Sequence, residues 1–464
     1  MSGAIVGRAL TGALVVALSG FALTGCSGGE TPSPGPSSVV GVSGGSGPTT
    51  ALNVYERQRA DGVGALLDSL SAALLRGDTA TVAALLDDSA SPGFRTRIMT
   101  VASNLARTAP GPRGRSLRPR LLSLRLAPTE EAERLLPEAV QSRLDAQGSS
   151  DSWLAPVDVH HALGGASTPG ADEPEIVQSY PLVVARYGDS WKLVGDATLV
   201  AETPPATQLW ELPGLAATDV ATAGGTSVIA SYRGTDTEVA RVRRLLPGAI
   251  AAVTAFWGGE WPQRAVVVAT GSDDEFAALA AGGGVGTAAA TVFDRIDTRN
   301  QVVIGQRVIL TPAARDLPEP ALGVVLRHEL THVAARLRTS TAAPMWLTEG
   351  VPEYVGRKGT YTRIPDAAPD LAEAVRSSGA PAGPPADADF LAGGAQAQLA
   401  YQSAWSMAAY VAQRFGEDRL KNLYLGVAAT ADRGRADAAV QAALGITRTR
   451  LVADWRSWLT EQVR

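Results

Sequence analysis

Two short segments constrain this chain more than anything else in it: His328-Glu329-Leu330-Thr331-His332, and Trp346-Leu347-Thr348-Glu349-Gly350. Positions four apart on a helix share one face and lie about 6 Å from each other. Two imidazoles so placed can grip one tetrahedral cation. Zinc favours nitrogen and oxygen ligands, and a catalytic zinc site keeps one position for water. Glu329 follows the first histidine, so its carboxylate lies beside that position and can take a proton from the water as it attacks a carbonyl. The third ligand has to come from another element, and Glu349 is the candidate.

Histidine is scarce: His160, His161, His328 and His332 are the four in the chain, which makes a chance HExxH a weak explanation. The competing reading is an ordinary amphipathic helix whose histidines are buried or solvated. Residues 318–338 do have helical periodicity, with Leu322, Val325, Leu326, Leu330 and Val333 as an apolar stripe. A histidine pair on an otherwise buried helix needs polar partners, and a metal ion supplies them. His160 and His161 sit in a Gly- and Pro-rich neighbourhood and read as loop or strand-end residues without a metal role.

HELTH, then WLTEGVPEY, then Tyr401-Gln402-Ser403-Ala404-Trp405 opening a later helix, resembles the gluzincin metallopeptidases, within them the peptidase MA-like proteins related to thermolysin and the aminopeptidases. The resemblance covers residues 225–464. It implies Glu349 as the third zinc ligand, Glu353 as the group orienting a zinc histidine, and Tyr401 as the phenol that holds the developing oxyanion. The stretch between His332 and Glu349 is shorter than in the best-known members, so Glu353 stands as the alternative direct ligand. No segment resembles the signature that recognises a free amino terminus, so aminopeptidase activity is not implied. Each of these residues also has a plainer reading. Glu349 can cap a helix, Glu353 can lie on a solvated face, and Tyr401 can bury its ring as packing.

The remaining text suggests where such chemistry takes place. Residues 1–25 carry one basic residue, Arg8, and then a run of Ala, Val, Leu and Gly too short for a stop-transfer helix. The run ends Leu23-Thr24-Gly25-Cys26, which resembles a bacterial lipobox. Cys26 is the chain's single cysteine, so no internal disulfide can form. The resemblance implies a lipid-modified Cys26 that anchors the protein to the outer face of the cell membrane; a plain signal peptide or a retained anchor is the alternative. Residues 26–50, rich in Gly, Ser and Pro, are expected to be a tether that cannot bury a core. With a net charge of −5 and 19% charged residues, the chain gives no nucleic-acid surface. Arg113, Arg115, Arg118 and Arg120 beside Pro and Gly read as a solvated loop.

The rest is long enough for two domains, and the expected class is α+β. Residues 51–205 open with helical text at 53–77, a cap at Asp78 and a second helix at 80–86. Strand-like runs follow at 121–126, 152–161, 176–187 and 190–194, with Tyr187-Gly188-Asp189-Ser190 as a hairpin turn. This order looks like the α+β cone of the nuclear-transport-factor-2-like superfamily, a cavity-bearing or dimerising module, which leaves a homodimer open. Residues 206–225 read as a linker. Residues 226–464 are expected to be a mostly helical zincin domain with a small edge-strand sheet. Its strands lie at 227–232, 266–269 and 291–293, with 301–310 as another strand or a hairpin, and its helices near 238–257, 318–338, 347–357, 368–377, 398–415, 417–428, 435–443 and 448–462. Stretches 282–286 and 379–388 are expected as loops rimming the cleft. Either 307–311 or 289–293 is expected as the edge strand beside the zinc helix, to which a peptide or protein substrate adds through main-chain hydrogen bonds. Two functions follow: a membrane-tethered zinc peptidase, or an envelope lipoprotein in which the peptidase fold serves as a binding scaffold. His328, Glu329, His332 and Glu349 are all present, which favours the enzyme.

Overall fold

The computed structural model describes residues 54–107, 119–128, 135–163, 173–203, 206–280, 288–361 and 363–464. Cys26, the segments 1–25 and 26–50, Arg113, Arg115, Arg118 and the stretch 282–286 lie outside them. The architecture is α+β with small sheets.

The N-terminal part begins with three helices, α1 (Val54–Arg76), α2 (Thr79–Leu85) and α3 (Pro92–Arg107). The Asp78 carboxylate accepts from the Thr81 amide at 3.0 Å and starts α2 as the sequence predicts. Strand β1 (Pro119–Leu126) and helix α4 (Glu138–Ala146) precede β2 (Asp151–Ala155), β3 (Val157–Leu163), β4 (Ile176–Ser179), β5 (Leu182–Tyr187) and β6 (Ser190–Asp196). These strands form two antiparallel sheets, β1-β3-β4 and β2-β5-β6. Gly188, at φ +61°, turns the β5–β6 hairpin with Tyr187 opposite Ser190. The predicted strand 152–161 is two strands because Pro156, with no amide to donate, interrupts it. Helices α3 and α4 are findings of the structure, although α3 has Phe94, Ile98, Val101 and Leu105 at helical spacing as its buried face. His160 and His161 lie within β3, between β1 and β4, and not in a loop or at a strand end.

The C-terminal part is built on one five-stranded sheet in the order β10-β13-β9-β8-β7. Its strands are β7 (Ala216–Thr222), β8 (Gly225–Ser231), β9 (Val266–Ala269), β10 (Ala289–Val292) and β13 (Arg307–Leu310). The β8, β9 and β13 strands are parallel, with antiparallel β7 and β10 at the edges. A two-stranded ribbon, β11 (Arg295–Asp297) with β12 (Val302–Ile304), interrupts it. The predicted element 301–310 therefore splits at Gly305, φ +69°, between two sheets. Two expectations are corrected here. Residues 206–225 are not a plain linker, because the segment contains β7 and the buried pair Leu209 and Trp210. The β13 strand (307–310) is interior, so the edge beside the ligand helix is β10.

Strand periodicity divides the sheet's two faces. Ile229, Val267, Val308, Leu310 and Ala289 point to the helical side. There α5 (Asp236–Trp257) and α7 (Glu319–Ala335) pack, followed by α8 (Met345–Thr348) and α9 (Gly350–Arg357). Past α9 come α10 (Ile364–Ala367), α11 (Pro369–Ser378), α12 (Asp387–Leu391), α13 (Gly394–Phe415), α14 (Glu417–Val427), α15 (Arg433–Leu444) and α16 (Arg448–Gln462). Val228, Ala230, Val266, Val268 and Ile309 point the other way, into one core with Leu70, Ile98, Leu105, Leu124 and Trp210 of the N-terminal side. The short helix Asp273–Leu279, preceding β10, adds Phe276 to that core. Asn104 donates to the carbonyls of Trp210 and Leu212 at 2.8 and 2.7 Å, tying α3 to the segment before β7. The two parts thus share a core.

His161 lies at this seam, 2% exposed and edge-to-face with Trp210 at 5.1 Å, with neither ring nitrogen hydrogen-bonded. Burial, with the Arg307 charge adding, pulls its pKa from the usual 6.5 to about 4. The fold therefore holds it neutral. Its penalty is absent above pH 6.5 and grows as pH falls from 6.5 to 4, where it reaches about 3 kcal/mol. Denaturant unfolding at pH 7 and pH 4 should show a pH-dependent loss of stability smaller by about that amount in His161→Leu than in the native chain. An equal loss in both would contradict this assignment.

Candidate metal centre

Helix α7 is apolar on nearly every side: Leu322, Val324, Val325, Leu326, Leu330 and Ala335 are all buried. It packs against α5, α9 and β10. In that setting His328 and Glu329 are fully buried and His332 nearly so. Buried polar groups require partners, and the structure supplies them from two elements that sequence order separates.

The first is α8–α9. These two helices run almost on from each other. Pro352 cannot donate to the carbonyl four residues back, which opens the helix at Thr348 and Glu349. Glu349 and Glu353 stay one turn apart, with the Glu353 amide donating to the Glu349 carbonyl at 2.9 Å, and both carboxylates turn towards α7. Two glycines allow the approach. A Cβ on Gly356 would lie 2.9 Å from the Val324 carbonyl oxygen of α7, and one on Gly350 would lie 2.5 Å from the Ala404 carbonyl oxygen of α13. Gly350 in the WLTEG segment is thus needed for packing as Glu349 is needed for charge.

The donor atoms converge. His328 Nε2 and His332 Nε2 are 2.9 Å apart. Glu349 Oε2 lies 3.4 Å from the first and 3.6 Å from the second. A triangle with these sides fits on a circle of radius about 1.9 Å. That radius is close to the length of about 2.0–2.1 Å of a bond from zinc to nitrogen or oxygen, so the three atoms could be ligands of one ion. Glu349 Oε2 has no hydrogen-bond donor in the protein. Two imidazole nitrogens and a carboxylate oxygen, all buried and facing one point, could hold a metal ion. The residues present fit the group.

The opposite nitrogen of His328, Nδ1, faces Glu353 Oε1 at 3.2 Å. Glu349 and not Glu353 therefore shares the ligand side, and Glu353 holds the ring from behind, as carboxylates commonly do for metal-bound histidines. Arg357 completes the relay: its Nε donates to Glu353 Oε2 at 2.5 Å and its Nη1 to the Ala367 carbonyl at 2.6 Å. Burial would lower the His328 pKa, but the Glu349 and Glu353 carboxylates overcome it and lift the ring to about 10. Burial would likewise raise Glu349, and the two imidazoles instead hold it at about 2. The pocket is built for positive charge between these groups, whether proton or metal.

The second element is the edge strand. Thr291 of β10 donates from its hydroxyl to Glu329 Oε2 at 2.5 Å, while Glu329 Oε1 has no hydrogen-bond partner. One oxygen is pinned and the other has no partner. Tyr401 is buried on α13 with its ring edge-to-face with Phe390 at 5.1 Å. Ala404, one turn on, is the residue against Gly350, so Tyr401 lies on the side of α13 that meets α9. His160 pairs with Glu175 at 2.6 Å and, like His161, is not among the metal-facing group.

Sequence reasoning missed Thr291 and Arg357. Arg357 had a signal, since Glu353 and Arg357 are four apart on one helix. Thr291 had none, because its contact spans 38 residues. No protein-family model matches the chain, and no curated protein matches it.

Metal content after dialysis against graded chelator should order the variants. His328→Ala and Glu349→Ala abolish binding, and Glu353→Ala weakens it about 10- to 100-fold. Binding retained in full by Glu349→Ala would show that the third ligand lies elsewhere.

Proposed function

We propose that this chain is a zinc metallopeptidase of the gluzincin kind that hydrolyses peptide bonds with an activated water. The observation that carries the reading is the convergence of His328, His332 and Glu349 on one point, with Glu329 on the same buried helix and one of its oxygens uncommitted. Zinc suits a donor set of two nitrogens and one oxygen, and when bound it supplies a Lewis acid that lowers the pKa of water to about 7.

The chain's own residues do the rest. Glu329 takes the proton of the attacking water on Oε1 and returns it to the leaving amine, while Thr291 keeps the carboxylate from rotating away. Glu353 and Arg357 fix the His328 ring so that Nε2 faces the ion. Tyr401 is the donor for the oxyanion. The outer side of β10, unpaired with any other strand among the described residues, offers main-chain groups to an extended substrate next to Glu329. The N-terminal part, in this reading a nuclear-transport-factor-2-like module, backs the catalytic sheet. A lipid on Cys26 holds the whole at the outer face of the cell membrane; among the described residues no helix is long and apolar enough to cross a membrane.

Purified protein loaded with zinc and given a mixed peptide library should cleave it. Glu329→Gln should keep the metal and lose about 10²- to 10⁴-fold in kcat, and Tyr401→Phe should lower kcat with little change in KM. If native and Glu329→Gln proteins both hold zinc and neither hydrolyses anything, the scaffold reading replaces the enzyme.

A further inference from the structure

Arg336 stands one helical turn beyond His332, at the C-terminal end of α7 and on the side of that helix that carries the ligands. Its guanidinium carbon lies 4.7 Å from the centre of the Phe293 ring. The side chain is half-buried, and its Nε is buried without a hydrogen-bond partner. Among the described residues no carboxylate or carbonyl pairs with this guanidinium. Its neighbours differ. Arg338 reaches Glu260 at 4.0 Å, Lys421 donates to the Trp257 carbonyl, Arg327 donates to the Gly356 carbonyl at 2.8 Å, and Arg357 is held by Glu353.

An arginine kept half-buried without a fixed partner loses hydration and gains only a ring contact. Burial pulls its pKa down, while Tyr424, Glu349 and Glu329 act in the other direction, so the charges it feels are those of the metal centre's surroundings. Contact with the Phe293 ring covers one side of the guanidinium and leaves its N–H groups for an acceptor, which the two oxygens of a carboxylate suit.

The register places it. Thr291 and Phe293 alternate along the chain and so project to one side of the edge strand and its extension. Thr291 touches Glu329 and Phe293 touches Arg336. The strand thus runs beside α7 from the general base to the free guanidinium. A peptide laid along β10 with its scissile carbonyl at the ion brings a nearby residue over Arg336.

We propose that Arg336 receives a carboxylate of the substrate, either an Asp or Glu side chain or a free C-terminus, within about three residues of the scissile bond, and so gives the site an acidic preference. This rests on the peptidase reading and adds a substrate class to it.

The test uses the zinc-loaded full-length chain and matched quenched-fluorescence peptides. They carry Glu, Gln or Lys at each of three positions on either side of one cleavage site, each with a free and an amidated C-terminus. The native chain should favour Glu over Gln at one position, or the free over the amidated terminus, by about tenfold or more in kcat/KM and mainly through KM. The first result assigns a side-chain carboxylate, the second a terminal one. In Arg336→Gln that ratio should fall to near one, in Arg336→Lys it should survive in part, and in Arg336→Glu a Lys peptide should become the better substrate at the same position. A preference that survives Arg336→Gln, or an equal fall for every peptide, overturns the proposal. If the native chain cleaves none of them, calorimetry of the same peptides on zinc-loaded Glu329→Gln protein decides. Carboxylate-dependent binding that disappears with Arg336→Gln keeps the Arg336 site and sinks the peptidase reading. Equal binding of acid and amide forms sinks the Arg336 site.

Discussion

Three carboxylates, two imidazoles and a guanidinium share the space between α7, α9 and β10 with almost no access to water, and their charges have to balance. Glu353 is matched by Arg357 on one side and His328 on the other. Glu329 is held by a neutral hydroxyl. That leaves Glu349 facing two imidazole nitrogens, an arrangement that is satisfied only when something positive sits among them. The rest of the C-terminal part follows from this requirement. It explains why a helix as apolar as α7 carries the sequence HELTH, and why Gly356 and Gly350 let α9 come so close to α7 and to α13.

The sheet contributes by its edge. Among the described residues the β10 strand has one strand neighbour, β13, and ends the sheet on the side of α7. Residues of alternate parity serve the two sides of the sheet. Thr291 goes to Glu329 while Ala290 and Val292 go to the core shared with the N-terminal part. A slip of one residue would exchange these places and uncouple Glu329 from its hydrogen-bond donor.

Much of the helical frame was legible in the sequence, because periodicity and caps are local. The helix bearing His328 and His332, the turn at Gly188, the cap at Asp78 and the one-turn spacing of Glu349 and Glu353 all follow from residues within a few positions of each other. What was not legible depends on distant partners. Residues 206–225 look like a linker in composition, yet β7 forms because β8 offers it a ladder. The choice of β10 over β13 as the edge depends on β9 pairing with β13 in parallel, across a helix and a connection that carry no register signal. Thr291, Arg357 and Arg336 gain their meaning from neighbours on other elements, and single-residue chemistry does not reveal that.

The sharing of one sheet by two cores has a mechanical consequence. The strand that steadies Glu329 is fastened, on its reverse side, to the layer containing Trp210 and His161. Acid, heat or a clipped chain that loosens that rear layer is felt in the cleft through a single thickness of backbone. The half that contributes none of the metal-facing residues therefore acts as the anvil against which the other half is held, and removing it would bare an oily surface as well as soften the centre.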